Sequence, residues 1–162
     1  MSVKYIVGVA DMKVANVAGD VIVTHALGSC LGVMVYDPVA VVGGMLHVMM
    51  PQASLNPEKA RSNPYMFVDS GVPAFFQELY AAGAHKQRCI VVVAGGSNVN
   101  GGDNDRFAIG KRNYLMLRKL FWKNGILIKA EDVGGTAPRT VYLEIGTGRT
   151  WLSTAGQERE LQ

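Results

Sequence analysis

The stretch "LGVMVYDPVAVVGGMLHVM", Leu31–Met49, sets two runs of Val, Leu and Met on either side of Asp37-Pro38. Asp-Pro is turn chemistry: the proline ring presets φ, and an Asp side chain bonds to the backbone of its own turn. The flanking runs are too short for helices and rich in β-branched residues. They read as two antiparallel strands, Leu31–Tyr36 and Val41–Met49, in continuous apolar form suited to burial on both faces.

The chain before this hairpin reads as two more strands, Lys4–Ala10 and Val21–Ala26, with turns at Gly19-Asp20 and Gly28-Ser29. A polar loop follows it, from Pro51 to about Asp69. The next segment has the helical period. Val72, Phe75, Phe76, Leu79 and Tyr80 share one face of a helix over about Gly71–Ala82, with Asp69 or Ser70 as cap, Pro73 in the first turn and Gly83 at the stop. Cys89–Ala94 is a buried strand that opens into a Gly/Asn-rich loop, about 95–106. A second helix covers Ile109–Lys123 with Tyr114, Leu117, Leu120 and Phe121 inward, and the Phe75/Phe76 and Phe121/Trp122 pairs read as packing residues. Ile126–Glu131, Thr140–Ile145 and Arg149–Ser153 read as strands, the last two joined by Gly146-Thr147-Gly148. The tail, about 154–162, is expected to be disordered.

Strands and helices in this order lack βαβ alternation, which disfavours a doubly wound sheet. The pattern predicts an α+β fold, a layered sandwich of one mixed β-sheet with two main helices on one face, and one domain over 1–162. Hydrophobic residues make up 49% and charged residues 18% of the 162, an ordinary globular balance. The net charge is +3, without a Lys/Arg block or a basic-aromatic stripe, so nucleic-acid binding finds no support. The N-terminus lacks a signal-peptide pattern, and no apolar stretch is long enough to cross a bilayer. Two cysteines in a chain this long do not make a disulfide framework, and the expected setting is reduced and cytoplasmic. The three histidines are widely spread and no Cys-x-x-Cys occurs, so neither a metal nor a cofactor is expected.

Cys30 has two readings. Free cysteine is a common buried small hydrophobe, and strand histidines are often satisfied core groups. Against that, a hairpin centred on Asp37–Ala40 sets residue 31 opposite 46 or 47, which brings His47 to Cys30 as a possible base. A tight turn at Gly28 and Ser29 would expose backbone N–H groups suited to an oxyanion. His25, on the strand face opposite Thr24, is the poorer base. Cys89 opens an all-apolar strand and reads as core. The Gly/Asn-rich loop departs from the P-loop pattern, with Arg112 after Lys111, and its Asn98, Asn100, Asp103 and Asp105 do not follow the EF-hand order. It reads as a surface loop.

"T-x-x-L-G-S-C" (Thr24–Cys30) followed by "GGMLHVMMP" (Gly43–Pro51) resembles the chemoreceptor glutamine deamidase family CheD. "YMFVDSGVPAFFQELYAAGA" (Tyr65–Ala84), "IGKRN" (Ile109–Asn113) and "EDVGGTAPRTVYLEIGTG" (Glu131–Gly148) extend the resemblance over about Val3 to Trp151. It implies a catalytic Cys30, His47 and Thr24, and hydrolysis of glutamine side chains to glutamate with loss of ammonia. The implied substrates are methyl-accepting chemotaxis receptors, in their cytoplasmic region. It also implies, for some members, binding to a CheC-type phosphatase, and a sandwich fold resembling the catalytic domain of cytotoxic necrotizing factor. An adaptor that only stimulates such a phosphatase is the alternative. Nothing in the sequence demands more than a monomer.

Overall fold

The computed structural model describes residues 2–98 and 108–162, so Asn100, Asp103 and Asp105 of the Gly/Asn-rich loop lie outside the described residues. The strands are β1 Lys4–Ile6, β2 Asp11–Ala15, β3 Val21–Leu27, β4 Leu31–Asp37, β5 Val42–Val48, β6 Ile90–Gly95, β7 Ala130–Val133, β8 Arg139–Glu144, β9 Thr150–Thr154 and β10 Gln157–Glu160. The helices are α1 Pro57–Ser62, α2 Val68–Ala81 and α3 Ile109–Lys123. Among the described residues no helix is long and apolar enough to cross a membrane.

The strands form two five-stranded sheets, not the single mixed sheet expected: β1-β3-β8-β9-β10 and β2-β5-β4-β6-β7. Side-chain periodicity explains the split. Every residue of β4 and β5 is buried, whereas β8 alternates buried and half-buried positions. A strand buried on both faces belongs to a middle layer, and an alternating one covers a single face. The Leu31–Met49 hairpin is therefore the centre of an α/β/β stack. One face of its sheet packs Val33, Val35, Leu46 and Val93 under α2 and α3, through Phe75, Phe76, Leu117 and Phe121. The other face packs Met34, Met45 and Val92 against Ile22, Val141 and Leu143 of the second sheet. Gly43 and Gly44 permit both approaches. A Cβ at 43 would stand 2.6 Å from Ile145 Cδ1, and one at 44 would stand 2.8 Å from Phe75 Cε1.

The hairpin is centred one residue later than its sequence suggests. Leu31 pairs with Val48, Gly32 with His47 and Asp37 with Val42. The Val41 N–H donates to the Asp37 carbonyl, while the Asp37 carboxylate accepts from the Val39 and Ala40 N–H groups, which closes a four-residue loop over 38–41. The expected first strand, Lys4–Ala10, is only the short β1, and β2 follows it in the other sheet as a strand not expected, with Ala10 at φ 58 in the crossing between them. α2 starts at Val68, so Pro73 sits inside it. Asp69 and Ser70 do not cap it: Asp69 accepts from the Ala53 N–H, and the Ser70 hydroxyl donates to the Pro64 carbonyl. The polar loop is largely helical turns, α1 among them. Of the pair Phe121/Trp122, Phe121 meets Phe76 edge-on at 6.1 Å, but Trp122 is 82% exposed. β7 begins four residues later than the strand expected there. The tail is ordered: β10 pairs with β9 through Ala155 (φ 51) and Gly156 (φ 76), a two-residue turn with both φ positive.

Asp37 is fully buried and also accepts from the His85 N–H and the Arg88 guanidinium. Burial alone would raise its pKa, but Arg88 and these N–H groups outweigh it and hold the carboxyl well below the usual range. Its contribution to stability is present above the unfolded value of about 3.9 and is lost as pH falls through the folded pKa. Asp37→Ala leaves Arg88 and the amides unpaired and should cost about 3 kcal/mol in urea unfolding at pH 7. A change under about 0.5 kcal/mol, the scale of an ordinary surface substitution, would remove this network from the account of the hairpin.

Candidate active site

Thr24, Cys30 and His47 come from three strands or their ends, and the layer between the sheets gathers them. Odd positions of β5 face that layer, so His47 points inward beside Met45 and is 2% exposed. Gly32 lies directly opposite His47, and a Cβ there would fall 2.9 Å from Leu27 Cδ1 and 3.7 Å from Thr24 Cγ2. The missing side chain leaves Thr24 room to approach. Cys30 shares the face of Gly32, two residues away, and packs against the same inter-sheet cluster. It is therefore a diagonal neighbour of His47 and not its cross-strand partner, and no hydrogen bond joins the two side chains. Cys30 is half-buried, while the histidine lies beneath the surface.

A bulge aims Thr24. β3 carries one residue more than β8 between Thr24↔Val141 and Leu27↔Arg139, and Ala26 takes φ 54 there. His25 is exposed on the other face, as the alternation of side chains predicts. Thr24 Oγ1 lies 2.7 Å from His47 Nδ1 and 2.7 Å from the Val7 carbonyl. These contacts fix the tautomer. A carbonyl only accepts, so the single hydroxyl proton goes to Val7, and Nδ1 must carry the proton it gives to Thr24. Nε2 is left as a lone pair, buried and without a hydrogen-bond partner among the described residues.

Burial sets the charges. It pushes the His47 pKa down to about 4. It also raises the Cys30 thiol above its ordinary value, with the residue's own backbone N–H offsetting part of the shift. At neutral pH the pair rests as thiol and imidazole, and not as thiolate and imidazolium. Cys89 packs on the other side of its sheet, against the helices, and burial there pushes its thiol up to about 11, with Asp37 adding to the shift.

The turn before the cysteine is tied to the end of β6. The Ser97 N–H donates to the Gly28 carbonyl and the Gly96 N–H to the Cys30 carbonyl, at 2.9 and 2.8 Å. A Cβ at Gly95 would come within 2.3 Å of the Cys30 carbonyl oxygen, so only glycine fits. Two contributors were missed by sequence reasoning. The Val7 carbonyl left no signal, because backbone groups carry none. Asn113 did leave one: it is an amide four residues before Leu117 on the inward face of α3.

A family model described as "CheD chemotactic sensory transduction" matches residues 49–154. The chain belongs to the CheD family. That match begins after His47, but longer similarities include the whole site. The chain is 50% identical over 156 residues to a protein of Solibacter usitatus named a probable chemoreceptor glutamine deamidase CheD, covering 96% of this chain and 92% of the relative. It is 48% identical over 157 residues to a CheD so named from Syntrophus aciditrophicus, covering 96% and 98%. A third relative so named, from Thermococcus kodakarensis, is 35% identical over 144 residues, covering 88% of each.

The tautomer is open to direct measurement. Nitrogen-15 spectra of the imidazole at pH 7 should show His47 as the Nδ1–H form. Thr24→Val, which removes the acceptor, should leave a mixture of tautomers. It should also destabilise the chain by about 1–3 kcal/mol through the Val7 carbonyl it orphans. A wild-type His47 protonated on Nε2 would refute the assignment.

Proposed function

We propose that this CheD-family chain hydrolyses glutamine side chains in the cytoplasmic region of methyl-accepting chemotaxis receptors to glutamate and ammonia. Cys30 is the nucleophile, His47 the general base and acid, and Thr24 the residue that orients His47. The observation that carries this reading is the Thr24–His47 bond, which spends Nδ1 and leaves Nε2 free on the face that Cys30 shares. The names of the relatives supply the substrate.

The chemistry runs as a two-step acyl transfer. As Sγ of Cys30 attacks the amide carbon, His47 Nε2 takes the thiol proton. Backbone N–H groups of the turn at Gly28, Ser29 and Cys30 face the developing oxyanion. Nε2 returns the proton to the amide nitrogen, the C–N bond breaks and ammonia leaves, with the acyl group held on Sγ as a thioester. Water then attacks, its proton passing to Nε2 and on to sulfur as glutamate is released. Thiol, imidazole and water suffice, so the reaction calls for no cofactor or metal. A neutral imidazole at pH 7 suits the first proton transfer.

The same reading takes the chain as one domain, a cytoplasmic monomer with the sandwich of the cytotoxic necrotizing factor catalytic domain. Receptors are its partners, and a CheC-type phosphatase is a second one.

Ammonia release from a receptor cytoplasmic fragment tests the assignment, with mass spectrometry of the glutamines. Cys30→Ala and His47→Ala should both fall to the uncatalysed background. Thr24→Val should lose about tenfold in kcat, the equivalent of one neutral hydrogen bond. Undiminished release by Cys30→Ala would overturn the nucleophile. An inactive wild type that still binds and stimulates a CheC-type phosphatase would leave the adaptor role in its place.

A further inference from the structure

We propose that Asn113 is a positioning residue that sets Cys30 against His47. Asn113 lies on α3 and is fully buried. Its side-chain amide Nδ2 donates to the Ser29 carbonyl at 2.9 Å and to the Met49 carbonyl at 3.1 Å. Ser29 immediately precedes the nucleophile, and Met49 follows the base by two residues. One NH₂ group thus fastens together the two backbone segments whose separation decides whether sulfur and Nε2 can exchange a proton.

The clamp has a second consequence. In a trans peptide the carbonyl and the N–H point in opposite directions. The Ser29 carbonyl shares its peptide plane with the Cys30 N–H. Asn113, by holding that carbonyl toward α3, turns the Cys30 N–H away from the helix and toward the side of the thiol. This N–H also acts on the Cys30 sulfur.

Close packing keeps α3 at the required height. A Cβ at Gly110 would lie 2.6 Å from the carbonyl oxygens of both Gly96 and Ser97. Gly110 therefore lets the helix backbone press onto the Gly96–Ser97 segment, which is hydrogen-bonded to the nucleophile turn. Asn113 stands three residues further on, about one helical turn. Both of its amide protons are used, but its Oδ1 is buried without a hydrogen-bond partner among the described residues. An apolar residue would avoid that unpaired oxygen, which costs stability. Asn113 is therefore better explained by the two carbonyls it holds than by packing.

The inference rests on Cys30 as nucleophile and His47 as base, and its test separates the two claims. Asn113→Ala and the similarly sized Asn113→Leu, whose side chain has no donor, are compared with wild type and with Leu117→Ala. Leu117→Ala removes core packing one turn along the same helix. Both Asn113 variants should lower kcat for ammonia release from a receptor fragment about 100-fold, the scale of a 1 Å misplacement, with KM within about twofold. Their Cys30 should react faster with iodoacetamide at pH 7, because a released turn is less buried. Leu117→Ala should lower the melting temperature yet keep kcat within about twofold, since it makes no transition-state contact. Wild-type kcat and wild-type alkylation in a folded Asn113→Leu protein would overturn the clamp. If wild type itself releases no ammonia, the deamidase reading fails. The alkylation rate then judges the clamp alone: faster than wild type supports it, unchanged overturns it.

Discussion

The 2.7 Å contact between Thr24 Oγ1 and His47 Nδ1 crosses from one sheet to the other through a layer of Ile, Leu, Val and Met. Most of the fold near the site can be read as the set of conditions for that contact. The sheets must stack closely enough for a threonine to reach a histidine, and Gly32 supplies the gap. β3 must carry a bulge to aim Thr24, and Ala26 accepts a left-handed backbone to make it. Val7 must lie where the chain leaves β1 of one sheet for β2 of the other, so that its carbonyl takes the threonine proton. A change in any one of these removes the reason for Nε2 to be the free nitrogen.

The price of an apolar setting is an unpaired polar atom. His47 Nε2 is buried without a partner, and a group in that state is expensive outside a functional site. The same burial keeps the imidazole neutral and the thiol protonated. On the proposed mechanism, a cysteine–histidine pair built this way stores no charge at rest and transfers its proton as the thiol attacks a carbonyl carbon. The half-buried thiol stays closed to casual oxidation at neutral pH, because reactivity follows the thiolate.

Much of this was legible in the sequence. The apolar runs around Asp37-Pro38 gave the central hairpin, the period of Val72 to Leu79 gave the buried face of α2, and α3 matched its expected bounds. The division into two sheets was not legible, because a strand's apolar content does not name its partner strand. The hairpin loop moved by one residue, from 37–40 to 38–41, because Asp37 ends the strand opposite Val42 and its carboxylate accepts from the Val39 and Ala40 N–H groups inside the loop. β10 was missed because Ala155 takes the positive φ that glycine or asparagine usually announces. The hairpin reading set Cys30 and His47 across from each other, whereas the register makes them diagonal neighbours. Asn113 showed in the sequence only as an amide on the inward face of α3, because its partners are two backbone carbonyls 84 and 64 residues away.

The central claim is that catalysis starts from a neutral pair, and the pH dependence of kcat/KM tests it most directly. His47 accepts a proton only while unprotonated, so activity should hold from pH 8 down to pH 5 and fall only as pH approaches its pKa of about 4. An acid limb near the ordinary histidine value of about 6.5 would contradict the account, since it would mean a solvated or ion-paired imidazole in place of the buried neutral base.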